Sequence, residues 1–385
     1  MVITYGAGGG PPDNYPVATL RNNNSDRPRQ RPTMTDIAKQ VGVSQSTVSL
    51  VLNHMTGAKV AAATRERVFA VAAELGYQLP RRKTTAPAAP PAASGVRRNL
   101  VVYIADEIAT SPHPAVTIDG ARSAAWEHNC LLSVHVIGGD RELEDAALEA
   151  ALANPALLGL VYATIFTREV EPPAALARRR PGVSCVLLNC TSRERKLSSV
   201  IPGEIGGGIA ATEHLIQAGH RRIGFINGEP WMDAGRDRLK GYRQALATAD
   251  LPFDAALVRD GDWMSGTGFE HAMALLQLER PPTAIFCAND LMALGALEAA
   301  RQLGLALPRQ LSIIGYDDQE IARYAHPPLS TVLLPNYALG QWAVERLIDE
   351  AAATEPLPPR QAKVECLLVQ RDSVAPPGDR PAVIS

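Results

Sequence analysis

From Leu100 onward the chain alternates short apolar runs with amphipathic helical stretches, and it does so in two successive series. In the first, Leu100-Val-Val-Tyr-Ile104 precedes a helical pattern over 118–128, residues 131–137 precede one over 142–153, and further apolar runs occupy 158–163 and 185–188. The second series has runs at 222–226, 256–259, 284–288 and 311–314, with helical patterns near 235–249, 266–278 and 291–303. Runs that are continuously apolar rather than alternating are strands covered on both faces, and strands joined through helices run parallel. The fold class predicted is α/β, with two doubly wound lobes in series and a cleft beyond the carboxyl ends of their strands. Runs at 331–334 and 363–369, flanking a helical pattern over 338–351, are expected to cross back between the lobes. The first lobe then takes about 97–202 and 334–360, and the second about 203–332 and 363–372.

Ahead of this body, residues 33–53 form two short helical patterns around a glycine. Thr33 is a good N-cap; Ile37, Ala38 and Val41 share an apolar face, and Gly42 ends the pattern. Ser44 caps a second helix whose Val48, Val51 and Leu52 turn inward, leaving Gln45, Ser46, Ser49 and Leu50 outside. A third pattern starts at Thr64, carries Val68, Val71, Ala72 and Leu75 on one face, and closes at Gly76. The spacing predicts a small all-α helix-turn-helix head over 32–79, whose second helix would enter a DNA major groove. A Pro- and Ala-rich basic linker over 80–96 follows; residues 1–31 and 373–385 read as loose tails.

Charge agrees with that division. Between Arg21 and Lys83 there are 11 Lys or Arg against 4 Asp or Glu, whereas the remainder holds 27 against 36. A basic head on an acidic body suits binding a polyanion through one end. No apolar run approaches the roughly 18 residues of a membrane span, and residues 1–31 contain no signal-like apolar segment, so the expected location is cytoplasmic, with no membrane partner. Cys130, Cys185, Cys190, Cys287 and Cys366 lack metal-ligand spacing and read as reduced core residues. No catalytic constellation is present: Gly-x-Ser-x-Gly is missing, and the glycines of Gly203-Glu-Ile-Gly-Gly-Gly208 do not have phosphate-loop spacing. Neither an enzyme nor a metal or cofactor is expected.

Several runs carry a closer resemblance. Thr33-Met-Thr-Asp-Ile-Ala38, the pattern Gly-Val-Ser-x-x-Thr-Val-Ser-x-Val-Leu-Asn ending at Asn53, Thr64-Arg-Glu-Arg-Val68 and Glu74-Leu-Gly-Tyr77 resemble the DNA-binding domain of the LacI/GalR family of bacterial transcription regulators. In the body, Thr212-Glu-His-Leu-Ile216, Gly219-His-Arg-Arg-Ile-Gly-Phe-Ile226, Arg238-Leu-Lys-Gly-Tyr242, Ala288-Asn-Asp290 and Gly315-Tyr-Asp-Asp318 resemble that family's core, which is similar in fold to periplasmic sugar-binding proteins. The resemblance implies a homodimeric regulator, a repressor, that binds a double-stranded operator and responds to a small-molecule effector, a sugar or sugar derivative, held between the lobes. The alternative is a sugar-binding protein of periplasmic type without a DNA role, which the basic head argues against. The linker departs from the family: Leu79-Pro-Arg-Arg-Lys83 lacks the Asn and the minor-groove leucine of its hinge helix.

On this reading Gln45, Ser46 and Leu50 read bases, while Thr33, Ser44, Thr47, Ser49, Asn53, Thr64, Arg81 and Arg82 contact the DNA backbone. Asp106 and Asn189 end strands and are candidates to meet the effector's hydroxyls. Resemblance adds Arg238, whose fork would bind effector, Trp263 as a stacking ring, and Asn289 and Asp317. Asp290 and Asp318 instead read as helix starts. Arg236, beside Arg238, is a further effector candidate and leaves a phosphorylated or nucleobase ligand open.

Overall fold

The computed structural model describes residues 2–3, 37, 40, 41, 43, 62–75 and 98–378. It forms two compact units, residues 8–95 and residues 1–7 with 96–385. Within the smaller unit, Ile37 and Val41, one helical turn apart, and Val68 and Ala72 of helix α1 (Ala62–Glu74) make a common core, with Val43, Phe69, Val71 and Leu75 packed beside it. Arg67 donates to the carbonyl of Val41 (3.1 Å), tying α1 to the preceding helical turn. α1 starts at Ala62, so Thr64 lies inside its first turn rather than at its start. Thr33, Ser44, Gln45, Ser46, Thr47, Ser49, Leu50, Asn53, Arg81 and Arg82 lie outside the described residues.

The larger unit contains two parallel sheets. The first has seven strands in the order β1 (Val2–Ile3), β12 (Gln361–Val364), β6 (Ser198–Pro202), β5 (Ser184–Thr191), β4 (Leu157–Glu169), β2 (Leu100–Ala105) and β3 (Leu131–Val136). Alternate residues of β2 go to opposite cores: Val101, Tyr103 and Ala105 pack with α2 (His113–Glu127) and α9 (Asn336–Ala352), and Val102 and Ile104 pack with α3 (Arg141–Ala153). Both faces are thus covered, which is why β2 reads as an unbroken apolar run. The second sheet runs β10 (Ser312–Ile314), β9 (Ala284–Cys287), β7 (Ile223–Asn227), β8 (Val258–Asp260), all parallel. Around it lie α4 (Glu204–Gln217), α5 (Asp233–Thr248), α6 (Ser265–Leu276), α7 (Asp290–Gln302) and the short α8 (Glu320–Tyr324). A small antiparallel pair, β11 (Thr331–Val332) and β13 (Leu368–Val369), completes it. All five cysteines are buried, and among the described residues no helix is long and apolar enough to cross a membrane.

Three features differ from expectation. The tails expected to be loose are partly tied down: Val2–Ile3 pairs with β12, and Ser373 is buried with its Oγ donating to the carbonyl of Ile313. β12 pairs with β6 in the first sheet, so Lys363 and Val364, placed by sequence in the second lobe, belong to the first; the return crossing comes only after Val364. β6 and α4 also form where no element was expected. Their signals are weak because serines 198 and 199 interrupt β6, while glycines 206–208 each cost α4 about 1 kcal/mol of helix propensity. Gly207 and Gly208 serve packing instead, against Tyr316 and α5, whereas a Cβ on Gly206 would meet open space. A Cβ on Gly208 would lie 2.5 Å from the carbonyl oxygen of Arg238 in α5, and one on Gly241 would run into the backbone of Ile205, so the two helices touch backbone to backbone. Gly241→Ala is accordingly expected to destabilise the larger unit by about 1–3 kcal/mol, read as a lower urea midpoint; an unchanged midpoint would show that the helices can separate freely.

Candidate functional site

A cavity of about 550 Å³ lies between the lobes, lined from both sides by residues at the carboxyl ends of the strands. Asp106 follows β2, Asn189 lies near the end of β5, Asn289 follows β9, Asp317 follows β10, and Trp263 lies beyond β8. Asn189 (φ 56°), Trp263 (φ 70°) and Asp317 (φ 106°) adopt left-handed backbone conformations. Such conformations cost non-glycine residues on the order of 1–3 kcal/mol and collect where side-chain placement matters.

Arg238 is the most densely engaged of the expected residues. It is buried on α5, with Nε and Nη2 donating to the two carboxylate oxygens of Glu204 (2.8 and 3.0 Å). Nη1 donates to the carbonyl of Ala288 and to Asp317 Oδ1 (3.4 Å), and the guanidinium carbon sits 3.7 Å from the centre of the Tyr316 ring. Burial alone would loosen the proton, but Glu204 and Asp317 hold the guanidinium above its ordinary pKa. The fork expected to meet a ligand is therefore spent on Glu204, in the first turn of α4, where the helix N-terminus favours a carboxylate. Sequence reading missed Glu204 because it sits in the glycine cluster; the available signal was that a buried arginine requires a buried carboxylate.

Arg236 does not reach the cavity. Two positions along a helix is about 200° of rotation, so it points away from Arg238's side, is mostly exposed, and pairs with Asp233.

Asp317 is held from both lobes. Gln319 Nε2 donates to it (3.2 Å), and His113 Nε2, at the start of α2 in the first lobe, lies 3.3 Å from Oδ2. A carboxylate only accepts, so Nε2 is the donor to it, and Nδ1 lies 3.0 Å from Asn336 Nδ2. Burial pushes the Asp317 carboxyl up, but His113 and Arg238 together bring it below its usual range.

The capping roles of the acidic and amide residues are also exchanged. Asn289 is the N-cap of α7, its Oδ1 accepting from Met292 N–H (2.8 Å) while Nδ2 donates to the carbonyl of Trp263 (2.8 Å). It lines the cavity and fixes the loop that carries Trp263. Asp290, expected to cap, is buried and accepts from Thr331 Oγ1 (2.6 Å) and Gln319 N–H (2.8 Å). Asp318 pairs with Arg371 and Arg323 rather than starting a helix.

On the first-lobe wall, Asp106 is buried and paired with Arg168 (2.7 Å), a residue sequence reading did not single out. Burial raises the Asp106 carboxyl, with Arg168 opposing. The side-chain amide of Asn189 makes no hydrogen bond among the described residues, leaving it open to the cavity. Trp263 packs with Nε1 3.1 Å from Met232 Sδ. Phe166, Arg168, Glu204, His113 and Asn336 join the cavity wall without having been expected there.

Burial, then the nearby Asp317, push the Asp290 carboxyl from 3.8 up to about 8. A group whose pKa is raised by folding contributes stability that is complete below its unfolded value and is lost as pH rises through the folded one. The thermal midpoint of the native protein is therefore expected to fall from about pH 4 to about pH 8 and to level off above that, whereas Asp290→Asn, which can accept from Gln319 N–H and donate to Thr331, should lack that fall. Parallel curves for the two proteins would contradict this assignment.

Comparison with known proteins agrees with the architecture. The sequence model for bacterial regulatory proteins of the lacI family matches residues 33–79, and that for the periplasmic binding protein-like domain matches residues 212–374. The chain is 32% identical over 320 residues to the ribose operon repressor of Haemophilus influenzae, covering 82% of this chain and 91% of that protein. Among solved structures it is similar to the transcriptional regulator CelR in complex with cellobiose (31% identity, TM-score 0.60, 89% of this chain and all of that one). It is also similar to the lac repressor dimer bound to operator and the anti-inducer ONPF (28% identity, TM-score 0.60, 90% of this chain and all of that one). The chain belongs to the lacI family of bacterial regulatory proteins, as a DNA-binding transcription regulator.

Proposed function

We propose that the protein is a homodimeric repressor whose operator affinity is set by a neutral polyhydroxy effector, a sugar or close derivative, bound in the cavity between the lobes. The observation that carries the effector class is the closure of Arg238 on Glu204. An anionic effector needs an unspent cationic fork, and here the buried one is neutralised from within. The cavity wall carries Asp106, Glu107, Glu204 and Asp317 against Arg168 and Arg238, which disfavours a phosphate further. The open amide of Asn189 and the ring of Trp263 suit hydroxyls and the apolar face of a sugar. The names of the relatives, a ribose operon repressor and a cellobiose-bound regulator, support the same class.

Dimerisation has a surface that fits it. β3 is the edge strand of the first sheet, and its Leu131, Val134 and Val136 are exposed, as are Val116 and Trp126 on the neighbouring α2. An apolar edge of this kind is a liability unless covered, and a second copy of the chain is the occupant that two operator half-sites call for. The similar lac repressor structure is itself a dimer on operator. In the head, Gln45 would read a base through its amide, with Ser46 and Leu50 as lesser contacts; Thr33, Ser44, Thr47, Ser49, Asn53, Thr64, Arg81 and Arg82 would hold the phosphates.

Selection of bound DNA from a random pool by the purified full chain, with and without neutral sugars, tests this. A near-palindromic sequence should be enriched, its retention should change with at least one sugar, and Gln45→Ala should alter preference at a defined base. Absence of any enriched palindrome would remove the operator reading, and an operator complex indifferent to every neutral sugar would remove the effector class.

A further inference from the structure

The outer end of β4 is irregular in a way that builds part of the cavity. Ala163 pairs with Leu188 of β5 and Arg168 with Cys190, so residues 164–167 stand opposite the single residue Asn189. Thr164 Oγ1 fixes this bulge by sharing its one hydroxyl proton between the carbonyls of Phe166 and Asn189 (both 2.9 Å). A bulge re-aims the side chains that follow it, and here Ile165, Phe166, Thr167 and Arg168 all reach the cavity wall.

The two cavity arginines are opposites. Arg238 is 4% exposed and fully engaged, whereas the Arg168 side chain is 41% exposed and uses only Nη2 in a hydrogen bond, to Asp106 Oδ2 (2.7 Å). Among the described residues its Nε and Nη1 donors have no partner, and they lie beside a carboxylate that also takes the Ile165 backbone N–H and keeps lone pairs with which to accept. A guanidinium and a carboxylate joined side by side offer donors and an acceptor along one edge. That edge matches a vicinal diol, in which one hydroxyl donates to the carboxylate and its neighbour accepts from the guanidinium. Phe166, within the bulge, lies under the Arg168 guanidinium (5.3 Å) and packs edge-on against Trp231 of the other lobe (5.2 Å, 81°).

We propose that Arg168 is a specificity-determining residue which, paired with Asp106, clasps a vicinal diol of the effector, on the same bulge that bridges the two lobes through Phe166 and Trp231. This rests on the neutral polyhydroxy effector proposed above.

The test begins with the full chain and a panel of neutral aldopentoses, aldohexoses and their disaccharides, ranked by thermal shift and titrated by calorimetry. For a sugar that binds, Arg168→Ala and Arg168→Lys are each expected to weaken affinity by roughly 10- to 100-fold, since lysine keeps the charge but loses the planar edge. The deoxy counterpart lacking one hydroxyl of the diol should bind the native protein correspondingly weakly, and binding to Arg168→Ala should no longer distinguish the two sugars. Arg168 is partly exposed, and unchanged thermal midpoints of the ligand-free variants confirm that folding is intact; Lys serves should Ala lower it. If a sugar binds the native protein and both variants equally, or the deoxy penalty persists in the variants, the Arg168 role is overturned while the effector class stands. If no neutral sugar binds the native protein, the effector class fails and the diol clasp fails with it.

Discussion

The Glu204–Arg238 ion pair is the contact on which the second lobe's share of the site depends. It joins α4 to α5, and through Nη1 it reaches the end of β9 and Asp317 after β10. Burying two charges is costly, and a buried pair holds only when the geometry is good and the remaining donors are satisfied. Here the guanidinium finds two carboxylate oxygens, a carbonyl, a second carboxylate and an aromatic face. The bare backbone contact around Gly208 and Gly241 lets the helices approach closely enough for the pair to form.

The consequence for ligand chemistry follows from where the charges go. The second-lobe wall offers a neutralised arginine and an aspartate drawn toward His113, so it presents fixed dipoles more than a free cation. The first-lobe wall has the partly open Arg168–Asp106 pair and the unpaired amide of Asn189. Two contacts bridge the cavity, His113 to Asp317 and Phe166 to Trp231. A ligand shifts a conformational equilibrium only by binding its states unequally, and groups that meet across a cleft are where such a difference arises.

Much of this was legible in the sequence, for identifiable reasons. Strands covered on both faces announce themselves as apolar runs, so the parallel lobes and the positions of Asp106 and Asn189 at their ends could be read directly, whereas Trp263, Asn289 and Asp317 enter through the family resemblance. What could not be read depends on tertiary pairing. Glu204 hides beside Gly207 and Gly208, whose packing against Tyr316 and α5 shows only in the folded chain, and Arg168 reaches the cavity only through a bulge that has no periodic signature. His113 and Asn336 are distant in sequence and meet at the starts of two packed helices. Arg236 lies off the cavity because neighbours in sequence do not share a helix face, and Asn289 rather than Asp290 caps α7 although either residue type can.

The pair's control over effector class can be measured directly by calorimetric titration of the full chain with a neutral sugar that binds it and with the phosphate ester of that sugar, in the native protein and in Glu204→Gln. The expected result is that the native protein binds the neutral form and discriminates against the ester, and that Glu204→Gln, by releasing the Arg238 fork, narrows or reverses the preference. Tighter binding of the ester than of the neutral sugar by the native protein would contradict it.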